Sequence, residues 1–152
     1  MFDAEMLVIS IPGFSEPVSA ITHLLGAGVF AKLGFLLVRK GRRTDGSGWN
    51  WRMTGLTVLA VAAVAQLGIS GAYHILQPGL APRLMMQQID RTAIFLLIAA
   101  TFIPVHAILF AGWRRWLILL ILFSLAATGI ILNSLHFNKQ FEMLGLIFYI
   151  AM

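Results

Sequence analysis

Met53-Thr-Gly-Leu-Thr-Val-Leu-Ala-Val-Ala-Ala-Val-Ala-Gln66-Leu-Gly-Ile-Ser70-Gly-Ala-Tyr-His74-Ile-Leu-Gln-Pro78-Gly-Leu-Ala-Pro82 is a run of 30 residues without Asp, Glu, Lys or Arg. Two more uncharged runs follow, 22 residues between Arg91 and Arg114 and 23 between Arg115 and Lys139. A chain crossing lipid needs about 20 mostly apolar residues, coiled so that each backbone polar group is satisfied within the segment. The three runs therefore predict spanning helices over about 54–75, 91–111 and 115–135. Barrel strands do not fit, since the runs lack alternation and exceed the ~10 residues of such a strand.

Composition agrees with this reading. Of 152 residues 59% are hydrophobic, and 14 glycines come on top of that. Soluble domains hold about 45–50% apolar residues with glycine included, and about 25% charged residues. Here only 11% are charged. A soluble fold of this size has no place for so much apolar surface, which excludes an ordinary cytosolic enzyme, a disordered tail and a fibre. An all-α, polytopic transmembrane bundle in the lipid bilayer follows, a single membrane domain over 1–152.

Cysteine is absent, so the sequence offers no disulfides, thiolate metal ligands or cysteine nucleophile. The net charge of +5 comes from basic residues placed between apolar runs, where they set membrane orientation rather than bind nucleic acid. Asp3 and Glu5 precede only a short apolar stretch, unlike the basic opening of a signal peptide.

Outward from the central run, Ile21 to Val38 is long enough for a first span but carries Lys32. Lys32 lies about 10 Å from the helix end near Arg39, within snorkelling reach of the interface. Gly46, Ser47 and Gly48, flanked by Trp49 and Trp51, mark an interfacial loop; Pro78, Gly79 and Pro82 break the chain after the second helix. Phe141 to Met152 starts like a fifth span and stops after 12 residues. The expectation is four full spans and a truncated fifth, in a chain that is C-terminally incomplete.

Helices that alternate in direction turn sequence position into depth. Glu16, Thr22, His23, Ser70, His74, Asp90 and His136 fall at one membrane face, and His106 falls about 24 Å beyond Asp90. Each alone reads as a solvated rim residue. As a set they say more. Gln66, Ser70 and His74 recur at i, i+4 and i+8, one stripe on an Ala- and Gly-rich helix where Gly68, Gly71 and Ala72 admit close neighbours. Asp90 opens the third span, where a carboxylate also suits the helix N-terminus as a cap. Imidazole and carboxylate at one depth are what a metal or proton-handling site requires. His74 is the first candidate ligand, with His23 or His136 at the same depth. A catalytic zinc takes three protein ligands, and no His-x-x-x-His pair supplies two from one helix face. Ligation of a haem by two histidines is the least supported alternative, since no helix carries two well-spaced histidines.

Three motifs in order carry a resemblance. Glu16-Pro-Val-Ser-Ala-Ile-Thr22-His23-Leu-Leu-Gly26 resembles the opening helix of the hemolysin III family, related to the adiponectin and progestin receptors (PAQR proteins). Ser70-Gly-Ala-Tyr-His74 resembles its Ser-x-x-x-His signature, and Asp90-Arg-Thr-Ala-Ile-Phe-Leu-Leu-Ile-Ala-Ala-Thr101-Phe-Ile-Pro104 its third-helix block. The resemblance implies seven helices and a zinc near one membrane face. It implies His74 as the second-helix zinc ligand, Asp90 as the carboxylate at the zinc-bound water, and Ser70 as a supporting residue one turn away. It leaves two further zinc ligands without counterparts here, so this chain alone is expected to hold zinc weakly or not at all.

The activity implied is a zinc-dependent membrane hydrolase acting on a lipid amide such as ceramide. The alternative is a non-enzymatic pore-former, receptor or signalling protein, oligomeric or not, in the plasma membrane. Orientation is left open. Seven basic residues in the loops at 39–52 and 114–115 place those loops in the cytoplasm by the positive-inside rule. The related receptors run the other way, with N-terminus and zinc toward the cytosol.

Overall fold

A computed structural model describes residues 15–45 and 50–135 of the chain. These residues form four helices: α1 (Pro17–Asp45), α2 (Trp51–Ile75), α3 (Ala81–Leu109) and α4 (Trp113–Leu135). α2 packs against both α1 and α3, and α4 packs chiefly on α3. The short connections make neighbours antiparallel. Backbone contacts confirm it: Glu16 N–H donates to His74 O at 3.1 Å, joining the start of α1 to the end of α2. His136 and the expected fifth span at 141–152 lie outside the described residues.

Local chemistry sets the ends. Asn50 caps α2 by accepting from the Met53 N–H at 3.0 Å. Pro78 and Gly79 end it, with Gly79 at φ +83°, a conformation that costs glycine nothing. Pro82 does not extend that break. It occupies the first turn of α3, where its missing N–H needs no partner and its fixed φ suits the helix. α3 accordingly begins at Ala81, ten residues before the 91 expected from the charge-free run. Charge counting stops at Arg83, Asp90 and Arg91, whereas a helix continues through charges that find partners.

Three of the helices are long and apolar enough to cross a membrane: Pro17–Arg43, Trp51–Ile75 and Ala81–Leu109. In α4 the apolar stretch Trp116–Leu132 is shorter. Most large apolar side chains of α1 are exposed, with Leu25, Val29, Leu33 and Phe35 all facing outward. Such surface is stable only against hydrocarbon, so the protein is an integral, multi-pass membrane protein with the bilayer as its solvent. Lys32 shares that exposed side of α1.

Packing between the helices relies on small residues, as lipid-embedded helices require. A Cβ at Gly55 would stand 2.7 Å from Pro104 Cα, so α2 and α3 meet backbone to backbone there. Gly71 lies under the Leu24 side chain of α1, while Gly68, expected to admit a close neighbour too, faces open space. Between α3 and α4 the fully buried Phe95 packs with Ala99 and Ala126. At the end opposite His74, the Trp51 and Trp116 rings meet edge to face with centroids 5.1 Å apart, in keeping with an interfacial aromatic belt.

Candidate functional site

Three helix ends and one loop converge where α1 begins. Ser15 N–H donates to Ile75 O at 3.3 Å, and with the Glu16 bond this seats the entry of α1 on the last turn of α2. Glu16 and His74, 58 residues apart, are thereby brought together: Oε2 accepts from Nδ1 at 2.6 Å. The other carboxylate oxygen, Oε1, accepts from Nη2 of Arg83 in the first turns of α3. Arg83 also donates to Ser15 Oγ at 3.0 Å and to the Leu76 carbonyl, and its guanidinium lies 4.7 Å from the Tyr73 ring centroid. Burial pushes the Glu16 carboxyl up, but the hydrogen bonds and charges of Arg83 and His74 outweigh it and hold the group below the ordinary carboxylate value.

An ionised carboxylate only accepts, so in a neutral His74 ring the proton sits on Nδ1 and Nε2 carries the lone pair. His23 is arranged alike. Its Nδ1 lies 2.7 Å from Ser19 O, and its ring centroid stands 5.3 Å from that of His74. Among the described residues no hydrogen bond reaches Nε2 of either ring. Metal-ligating histidines are oriented in this way, with the second ring nitrogen given to a carboxylate or a carbonyl.

Asp90 takes a different partner. It is the tenth residue of α3 and therefore neither opens that helix nor caps it. Its Oδ1 accepts from Gln66 Nε2 at 3.1 Å. Gln66 lies two turns from His74 along α2, about 12 Å of helix rise. The polar stripe thus meets two carboxylates at two depths: Glu16 at the His74 end, Asp90 at the Gln66 end. Ser70 lies buried between them, and among the described residues nothing hydrogen-bonds the buried Gln66 Oε1. Among the described residues no three His, Asp or Glu groups come close enough to hold a metal ion.

Two other candidates, Thr22 and His106, have partners within their own helices. Thr22 bonds back to Val18 O at 2.8 Å, and buried His106 gives Nδ1 to Phe102 O at 2.8 Å while stacking on Phe110. His106 stands apart from the cluster, as its position in the sequence suggested. An apolar cleft of about 670 Å³ between Trp51, Ile103, Trp113 and Trp116 lies at the opposite end, and among the described residues no titratable group lines it. Arg83 is what sequence reasoning missed, having served only as the boundary of an uncharged run. Pro82 was the available signal. A helix started there places Arg83 and Asp90 seven residues apart on one face.

The profile of the haemolysin-III-related family matches residues 14–152. The chain belongs to that family. The match begins beside Ser15 and Glu16 and takes in both carboxylate pairings. Searches of curated proteins and of solved structures returned no match.

Proposed function

We propose that this haemolysin-III-related protein is a zinc-dependent membrane hydrolase acting on a lipid amide, with His74 as a zinc ligand. One observation carries the reading: Glu16 holds the His74 ring by Nδ1 and leaves Nε2 bare. His74 fits such a metal as one donor. The 152 residues contain four histidines and no His-x-x-x-His pair, so the reading takes the other donors from outside the described residues. Zinc, when bound, supplies a Lewis acid that activates water for attack on an acyl carbon.

The chain's own residues supply the remainder. Asp90, with Oδ1 tied to Gln66 two turns from His74, would take a proton from the attacking water only through water bridging the two depths. Ser70, buried one turn from His74, supports the site from behind rather than touching substrate. The apolar faces of α1 to α3, with α4 as a fourth span, keep the acyl chain in lipid while the amide reaches the polar end.

A second reading, a pore-forming or signalling bundle, draws on the Gln66–Asp90 bond, since side-chain amides and carboxylates also join helices in lipid. One experiment separates the two. Vesicles containing a ceramide-like lipid amide and an entrapped dye are treated with the protein, with and without zinc. Fatty acid release that needs zinc and fails in His74→Ala supports the hydrolase. Dye release unaffected by either change supports the pore.

A further inference from the structure

Arg83 is bound to Glu16, to Ser15, to the Leu76 carbonyl and to the Tyr73 ring, and through Glu16 it stands next to His74. The two oxygens of Glu16 are divided, Oε1 to Arg83 and Oε2 to His74. Guanidinium has five N–H donors and no acceptor, so whatever group faces it must accept. We infer that Arg83, a positioning residue, fixes the direction of the side chain at position 16 by demanding an acceptor from it. A carboxylate meets that demand and still offers His74 Nδ1–H a second acceptor, which leaves Nε2 of the neutral ring as the lone-pair nitrogen. The functional consequence rests on the zinc role proposed for His74; the assignment of the ring proton does not.

Glutamine at position 16 exposes this control. A carboxylate presents an acceptor to each neighbour, whereas an amide has one acceptor end and one donor end. Arg83 can face only the acceptor, which turns the amide NH2 toward His74 Nδ1. That nitrogen then has to accept, and the single proton of the neutral ring moves to Nε2 by exchange with water. Without Arg83 nothing dictates the amide's direction, its carbonyl can turn to His74, and the Nδ1–H form returns. A role for Arg83 confined to packing produces no such reversal.

The test is the tautomer of His74 in the full 152-residue chain, labelled with 15N-histidine in detergent micelles and followed by long-range proton–nitrogen correlation while the ring is neutral. The His74 signals are assigned by their loss in His74→Gln. The expected result is Nδ1–H in the wild type, Nε2–H in Glu16→Gln, and recovery of Nδ1–H in Glu16→Gln/Arg83→Met. An Nε2–H ring in the wild type overturns the inference even where a variant fails to fold. So does a Glu16→Gln ring that keeps the wild-type proton, or a double variant that matches the single one.

Cobalt(II) titration of the same samples separates the two claims. Losing the group that orients a metal-bound histidine lowers metal affinity by about 10- to 100-fold, the drop expected for Glu16→Gln. A tautomer switch with cobalt bound equally well by the wild type and Glu16→Gln upholds the control by Arg83 and overturns the zinc role. Weaker cobalt binding in Glu16→Gln without the switch does the reverse.

Discussion

Glu16 Oε2 lies 2.6 Å from His74 Nδ1, and the same carboxylate is held from the other side by Arg83. One acid therefore ties together the entry of α1, the last turn of α2 and the first turns of α3. Glu16→Ala leaves Arg83 and His74 without their shared acceptor. A hydrogen bond to a charged group contributes about 1.5–3 kcal/mol, and the partial exposure of Glu16 places its loss at the lower end. Reversible unfolding in mixed micelles should show a drop of about 1–2 kcal/mol. No change would mean that the three segments are held by packing alone.

The Gln66–Asp90 contact joins α2 to α3 within the bundle and should behave as a coupled pair. Interhelical hydrogen bonds in membranes couple by about 0.6 kcal/mol on average and up to about 1.7. A double-mutant cycle of Gln66→Leu and Asp90→Leu should return a coupling in that range. Strictly additive losses would show that the two side chains do not support one another.

Glycine substitutions separate close helix approach from open space. At Gly55 a methyl group would meet the Pro104 backbone at 2.7 Å, and backbone cannot turn away as a side chain can. Gly55→Ala should cost about 1–3 kcal/mol by overpacking. Gly68 faces nothing within 4 Å, so Gly68→Ala should be neutral or gain up to about 1 kcal/mol from helix propensity. Thermal denaturation in detergent checks both. Equal effects would count against the α2–α3 register described.

Much of this architecture is legible in the sequence, because lipid imposes a simple rule on uncharged length. The helices, and the stripe of Gln66, Ser70 and His74, follow from run lengths and i, i+4 spacing. The partners across the stripe do not. Asp90 reads as a helix opener until Pro82 is recognised as the start of α3, and Arg83 reads as a boundary until the entry of α1 places Glu16 beside it. Gly68 and Gly71 look alike in the sequence, and only the position of Leu24 decides which one is a contact. Pairings between distant segments depend on helix rotation, which a charge count does not specify.

Orientation is tested by a single cysteine, since the chain has none of its own. The charge count puts the basic loop between α1 and α2 in the cytoplasm, so a cysteine at Ser47 should resist an impermeant maleimide in intact cells and react after permeabilisation. Labelling in intact cells would turn the bundle over and place the His74 end in the cytosol.

Zinc affinity tests the central claim, that His74 is a metal-binding nitrogen donor, most directly. It is measured by competition with a chromogenic chelator on the purified 152-residue chain and its His74→Ala variant. The account predicts at most weak binding in the wild type, since the proposed ligand set holds only His74 and the 152 residues hold no His-x-x-x-His pair, and loss of whatever binding there is in the variant. Zinc held equally by both proteins would contradict it.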